Sequence, residues 1–292
     1  MQSLKTIKKR IHSVKNTQKI TKAMKMVAAA KLRRAQQAAT HARAYVAAVE
    51  VTAGRLVRAW RDDPHPLTVA KGKPGKKEFL ILTSDRGLCG GFNSNLLRKV
   101  EETLKNCREQ NIRTEARLIG KKGRDYFKAK RLEITEAATG LYENLDRKIA
   151  EELARVAIRR FEEGKTGEIW LVYNFFKSTL VQEVIFKKLL PVEDLDHGPR
   201  TTDHGLPADY ILEPAGYTVL DKMLRELAVS RIYGGLLESV ASELAARMAA
   251  MDNATKNASD MIGYLTLVFN RARQAAITKE LMDIVGGAEA LR

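Results

Sequence analysis

The residues best suited to chemistry lie in a glycine-rich turn, Ser84–Gly91 (SDRGLCGG), between a predicted strand and a predicted helix. In α/β folds, such a turn can bind phosphate groups. This one lacks the GxGxxG spacing and also the lysine and Ser/Thr of a P-loop. Cys89 would need a base to act as a nucleophile, but all the histidines lie outside the predicted sheet: His12, His41, His65, His197 and His204. We therefore interpret the segment as a tight turn that needs glycine conformations.

Metal and redox chemistry find little support in the remaining residues. His197 and His204 each have an aspartate beside them, but the spacing is not that of a zinc site. Two cysteines, Cys89 and Cys107, do not form a disulfide framework, which favours a reducing cytoplasm. We predict no catalytic residue, cofactor or metal. We also predict no membrane span, because no stretch of about eighteen apolar residues is present.

Positive charge is concentrated at the N-terminus. The formal net charge is +16, and residues 1–49 contain eight lysines and four arginines but no acidic residue. This asymmetry predicts an acidic partner for the N-terminal segment, and nucleic acid, anionic lipid and an acidic protein loop all qualify.

The elements that must position these residues are two long helices at the ends of the chain. Residues 217–285 contain no proline, and small or apolar residues recur there with heptad spacing over about six heptads. A second heptad pattern runs over 3–60. Its middle is polar at Gln18, Thr21 and Lys25, and we expect the apolar stripe to shift there to the neighbouring positions Ile20, Met24 and Val27. Helices of roughly 85 and 100 Å, both with alanine-rich seams, predict an antiparallel coiled coil.

Between these helices, short apolar segments alternate with amphipathic ones. Strands are predicted near 78–83, 116–119, 132–135, 168–174 and 179–190, with a further possible strand at 210–212. Strands alternating with helices indicate a mainly parallel sheet. The predicted fold is a mixed α+β and α/β architecture: an antiparallel coiled coil of residues 1–60 and 217–292, with an inserted Rossmann-like α/β domain at 75–213.

The C-terminal end of the last helix carries an apolar stripe. Ile277, Leu281, Ile284 and Val285 share one side, and the heptad pattern breaks at Lys279. We expect this tip to extend beyond its partner helix and to bind a hydrophobic socket in another protein. Packing against its own chain is the alternative.

Three motifs together resemble those of the gamma subunits of F-type ATP synthases. They are NTQKITKAM at 16–24 followed by MVAA at 26–29, SDRGLCGGFNSN at 84–95, and a C-terminal set with SELAARMAAMDNAT at 242–255, NRARQAAITKEL at 270–281 and IVGGA at 284–288. They occur in the family's order and at the family's distances. The start at Met1, already within the family's pattern, favours a bacterial protein.

The resemblance implies a central rotor shaft without an active site of its own. Its helix pair would stand inside a ring of alpha and beta subunits. The α/β domain would lie beside epsilon and the c-subunit ring, and delta would complete the catalytic sector. Ion flow through the membrane sector would thereby be coupled to the conformational cycle of the catalytic sites. The location would be peripheral, on the cytoplasmic face of the bacterial plasma membrane.

The resemblance also implies particular contacts. Lys22, Met24 and Lys25 would face an acidic loop of beta, while Arg247, Gln274 and Thr278 would contact the surrounding ring. The tip residues Ile277, Leu281, Ile284 and Val285 would lie in the hydrophobic bearing, and Tyr210 would lie near the c ring.

Two other classes of function compete with the rotor interpretation. A basic coiled-coil nucleic-acid-binding protein would explain the N-terminal charge but neither the apolar tip nor the three motifs. A nucleotide-dependent enzyme built on the α/β domain lacks the phosphate-binding residues.

Overall fold

The computed structural model describes residues 4–60, 62–69, 76–142, 145–193 and 217–289, apart from the side chains of residues 283 and 285–289. The elements in chain order are α1 (Leu4–Ala59), β1 (Lys76–Leu82), α2 (Phe92–Glu109), β2 (Arg113–Ile119), α3 (Lys121–Lys130), β3 (Glu136–Ala138), α4 (Arg147–Glu162), β4 (Glu168–Phe176), β5 (Gln182–Leu190) and α5 (Tyr217–Glu289). The possible strand at 210–212 lies outside the described residues.

Two compact units divide the chain. The helical unit contains residues 1–29 and 247–292, and the sheet unit contains residues 30–246. Both boundaries fall inside the long helices α1 and α5. The division into 1–60, 75–213 and 217–292 therefore stays a prediction.

The sheet unit is built on five strands in the order β3-β2-β1-β4-β5. β1 pairs in parallel with β2 and β4, β2 pairs in parallel with β3, and β5 pairs antiparallel with β4 at the edge. The predicted Rossmann-like, mainly parallel sheet is confirmed, because this is the order of the first five strands of a dinucleotide-binding fold.

Alternate residues of β1 build the two faces of the core. Leu80 and Leu82 pack with α4 and with the parts of α1 and α5 in this unit. Phe79 and Ile81 face the other way, toward α2 and α3. Helices on both faces explain why β1 is a nearly continuous apolar run rather than an alternating one.

α5 approaches the sheet closely at Gly235. A Cβ atom built there would lie 2.8 Å from Leu171 Cδ2 of β4, closer than real Cβ contacts allow. Glycine at this position therefore allows α5 to pack closely on the sheet.

The third strand lies later in the chain than predicted. The segment 132–135 is not a strand, because Arg131 ends α3 in the left-handed conformation and Leu132 N–H donates back to the Phe127 carbonyl. The chain first reaches pairing register with β2 at Glu136. Leu132 and Ile134 instead pack on the core face formed with α2 and α3, which explains their apolar character.

Candidate partner-binding surface

The helical unit is an antiparallel pair formed by α1 and α5. Thr21 Oγ1 lies 2.8 Å from Thr255 Oγ1, and Lys25 Nζ lies 2.6 Å from Asp252 Oδ1. From the first pair to the second, the residue number rises by four in α1 and falls by three in α5, so the two helices run antiparallel. Both predicted seams face inward, since Ile7, Ala28 and Ala258 are buried. From Met251 to Ala276, no seam position of α5 is exposed, whereas most residues between the seam positions are.

The seam does not shift in its polar middle, so that prediction was wrong. Thr21 is buried against Thr255 and Lys25 pairs with Asp252, so polar groups occupy the seam and bond across it. Lys25, and then Lys256, hold the pKa of Asp252 below its usual value. The apolar neighbours Ile20 and Val27 are 60% and 57% exposed. Large apolar side chains on this side of α1 are consequently available to partners.

The predicted contact residues of α1 have different surroundings. Lys22 is exposed, Met24 is half-buried at the border of the seam, and Lys25 is held by its ion pair with Asp252. Lys22 and Met24 can contact another subunit directly. A contact through Lys25 would compete with the pair to Asp252.

The predicted ring contacts of α5 all lie in the helical unit. Arg247 is half-buried, whereas Gln274 and Thr278 are exposed. Thr278 Oγ1 donates to the backbone carbonyl of Gln274 at 2.9 Å, a bond within the helix. It does not involve the side-chain amide of Gln274, which can contact another protein.

The tip of α5 is apolar and exposed. Ile277, Leu281 and Ile284 are 50%, 57% and 68% exposed, and Met282 is also exposed. With the register set by the Thr21–Thr255 pair, Leu4 lies opposite Ala272, so the tip is past the first described residue of α1. Val285 has no described side chain, and Tyr210 lies outside the described residues.

Sequence reasoning missed a second apolar site on α5. Met261, Tyr264 and Leu267 are 52%, 67% and 70% exposed. These residues do not belong to the heptad seam that contains Ala258, Ile262 and Leu265. Large apolar side chains outside the seam were the feature of the sequence that could have predicted this exposed surface. At the same level of the pair, the register places exposed Lys9, Arg10 and Lys15 on α1. The helical unit therefore presents a basic surface on one helix and an apolar surface on the other.

In the sheet unit, the polar groups of the glycine-rich turn bond to one another and to neighbouring loops. Asp85 accepts from Lys121 N–H at 2.9 Å and from Gly140 N–H at 3.0 Å. Ser84 N–H donates to Asn93 Oδ1 at 3.0 Å, and Asn93 Nδ2 donates to Ser84 Oγ at 2.7 Å. Leu88 and Gly90 adopt left-handed φ angles. The tight-turn interpretation is confirmed.

The crevice where Rossmann-like sheets bind ligands is occupied by α5. That crevice lies at the carboxyl ends of β1 and β4, where the chain direction across the sheet reverses. Ser242 Oγ donates to the Asn174 carbonyl of β4 at 2.9 Å. Ala246 packs with Cys89 and Phe92 beside the glycine-rich turn. A nucleotide bound at the switch point would have to displace these residues of α5.

Within the described ranges, no three His, Cys, Asp or Glu side chains are grouped so that they could hold a metal ion. In the same part of the chain, no helix combines the length and hydropathy needed to cross a bilayer. His197 and His204 lie outside the described residues.

The fold defines a class of protein: an antiparallel helix pair with an inserted Rossmann-like domain. A family model described as ATP synthase matches residues 3–291. The ATP synthase gamma chain of Pelotomaculum thermopropionicum is 44% identical over 291 residues, and that of Anaeromyxobacter sp. (strain K) is 46% identical over 295 residues, each match covering 100% of both chains. This chain belongs to the ATP synthase gamma chain family.

Solved structures share the fold. A central-stalk chain of the Tetrahymena thermophila mitochondrial ATP synthase has a TM-score of 0.63 and 23% identity, covering 80% of this chain and 99% of that one. A chain of the Euglena gracilis mitochondrial ATP synthase in rotational state 3 has a TM-score of 0.68 and 18% identity, covering 99% and 94%. The nucleic-acid alternative receives no support from these comparisons.

Proposed function

We propose that this chain is the central rotor shaft of an F-type ATP synthase and has no active site of its own. It couples ion flow through the membrane sector to conformational cycling of the catalytic alpha/beta sites, in synthesis or in hydrolysis. Besides family membership, the observation that carries the proposal is the unequal surface of the helical unit, which is basic on α1 and apolar on α5 at the same level.

The proposed mechanism uses this inequality. Identical catalytic subunits arranged around a shaft with unlike sides cannot all make the same contact, so at each angle the shaft favours a different conformation in each of them. By linkage, the nucleotide state of the sites biases the shaft angle by the same coupling free energy. Turning the shaft therefore moves every site through binding, reaction and release.

The proposed partners are the alpha, beta, epsilon and delta subunits and the c-subunit ring, with the complex peripheral on the cytoplasmic face of the bacterial plasma membrane. Lys22, Met24 and Lys25 face an acidic loop of beta. Gln274, Thr278 and Arg247 contact the ring. The tip, Ile277–Val285, occupies a hydrophobic bearing, and Tyr210 lies near the c ring. Exposure of Lys22, Gln274 and the apolar tip supports these assignments.

Direct observation of rotation tests the proposal. Thr179 is exposed in the turn between β4 and β5, so Thr179→Cys provides an attachment point for a bead. The alpha–beta complex containing this variant is fixed to a surface through beta. Addition of ATP should turn the bead in one direction.

The unmodified chain is the control. Its two cysteines, Cys89 and Cys107, are both buried, so it should bind no bead. Steady ATP hydrolysis with a bead that stays still would contradict the rotor proposal, as would proton-coupled ATPase activity in a complex that lacks this chain.

A further inference from the structure

A cavity in the sheet unit, lined in part by charged side chains, has no role in the proposed rotor contacts. Its volume is about 190 Å³, and α1, α5, β4 and β5 all line it. This is room for several water molecules or for one small ion. The charged and phenolic lining residues are Arg43, Glu50, Tyr173, Lys187, Arg231 and Glu238.

The carboxylates of the cavity already have donors. Both oxygens of Glu238 accept from the Arg43 guanidinium, and Oε2 also accepts from Phe176 N–H at 3.0 Å. Glu50 Oε1 accepts from Lys187 Nζ at 2.7 Å and from Arg231 Nε at 2.8 Å. Although burial opposes ionisation, these two cations lower the pKa of Glu50, so the carboxylate is charged.

The hydrogen-bonding groups left over are mainly donors, and Glu50 Oε2 is a carboxylate oxygen that accepts no hydrogen bond from the described residues. Arg43 Nη1, Arg231 Nη2 and the Tyr173 hydroxyl bond to no other group in the ranges that the structure describes. Lys187 Nζ donates only once there, to Glu50. Burial raises the pKa of Tyr173 to about 12, so its hydroxyl keeps the proton that it can donate. Three cations against two carboxylates leave the lining with one excess positive charge.

We propose that this cavity binds a small oxyanion of the phosphate class. A lining whose unpaired hydrogen-bonding atoms are mostly donors, and which carries one excess positive charge, selects an acceptor ligand, and guanidinium groups match the geometry of oxyanions. Such an anion would bridge Arg43 of α1, Arg231 of α5, Tyr173 of β4 and Lys187 of β5. It would stabilise the packing of both helices on the edge of the sheet. This inference does not depend on the rotor proposal.

Titration of inorganic phosphate into the purified full-length chain, at constant ionic strength, tests the proposal by calorimetry. The wild-type chain should bind one phosphate saturably. Lys187→Gln should weaken binding about tenfold or more, because a charge-assisted bond is lost. Tyr173→Phe removes only a hydroxyl without a partner, so it should fold normally and weaken binding about threefold to tenfold.

Lys188→Gln is the matched control. Lys188 neighbours Lys187 on β5 but bonds to Glu168 and Glu193, and it does not line the cavity. It removes the same charge and should bind phosphate like the wild type. The proposal is overturned by absence of saturable binding to the wild-type chain, by equal weakening in both lysine variants, or by unchanged affinity in Tyr173→Phe.

Discussion

His65 lies in the segment after α1, and its side chain contacts the start of α5. Its side chain is only 4% exposed, its Nδ1 accepts from Leu67 N–H at 3.2 Å, and its Nε2 lies 3.2 Å from Asp221 Oδ1. Only the neutral tautomer with the proton on Nε2 satisfies both contacts. A second proton on Nδ1 would face the Leu67 N–H, so the folded state resists protonation of this histidine.

We predict that the sheet unit loses stability as the pH falls. Burial lowers the pKa of His65 below its ordinary 6.5, outweighing Asp221, so the unfolded chain takes up the proton first. The free energy of unfolding, followed by the fluorescence of the two tryptophans, Trp60 and Trp170, should be fully retained above pH 6.5 and decrease below it. His65→Gln should flatten this decrease. His41→Gln, which removes an exposed imidazole, should keep it, and a decrease unchanged in His65→Gln would rule out the assignment.

Residue types predicted the position of a side chain correctly where it depends on the helix alone, and wrongly where it depends on a bond to a distant residue. Exposed Lys22 and the apolar tip were recognisable because exposure follows from position relative to the heptad seam. Thr21 in a seam suggested a shifted stripe, because a lone threonine there would be unfavourable. Pairing with Thr255, more than two hundred residues away, removes that cost, and no local pattern contains this information.

Among the elements, the contact between the end of β1 and the turn before α3 depends on Gly120. Its φ of 104° and ψ of 144° belong to a region open essentially to glycine alone. A Cβ atom there would lie 2.1 Å from the Thr83 carbonyl oxygen, a contact that no movement of a side chain can relieve. The carboxyl ends of β1 and β2 are thus held together at a point where no other residue fits.

Gly120→Ala should therefore lower the free energy of unfolding of the sheet unit by about 3 kcal/mol or more, combining backbone strain and overpacking. Gly140→Ala is the matched substitution, because its φ is also positive, at 81°, but nothing lies within 4 Å of the added Cβ. It should cost only about 1 kcal/mol. Urea denaturation followed by tryptophan fluorescence measures both, and equal losses would contradict the steric account.

The order of the elements could be predicted from the sequence, but the occupation of the crevice at the switch point by α5 could not. Apolar runs and turn residues located β1, β2, β4 and β5, while β3 was misplaced because the left-handed Arg131 delays pairing. Nothing in the heptad pattern of α5 indicated that Ser242 and Ala246 would fill the switch point of the sheet. That outcome depends on how the helix packs on β4, which a one-dimensional pattern does not contain.

At the scale of the whole molecule, Met24→Lys should impair coupling while the complex still assembles. Met24 lies half-buried between Lys22 and Lys25, and a third lysine would form ion pairs with the acidic loop proposed to face it. These pairs must break whenever the shaft turns, so hydrolysis and rotation would lose their fixed ratio. The measurement is protons pumped per ATP hydrolysed by the purified complex in vesicles.

Gln110→Lys is the control for this prediction. It adds the same charge at an exposed position of the sheet unit, whereas the proposed beta contact belongs to the helical unit, and it should leave the pumping ratio unchanged. An unchanged ratio in Met24→Lys, with normal assembly, would remove the proposed role of this part of α1.

The exposed apolar residues of the helical unit also have a consequence for biogenesis. Ile20, Met26 and Val27 on α1, with Tyr264, Leu267 and the tip on α5, are displayed to water by a chain that has not met its partners. Such a chain is prone to self-association and to capture by chaperones and proteases. Synthesis in excess of the other subunits would therefore be wasteful and harmful, so the cell must match the supply of this chain to the supply of the proteins that cover it.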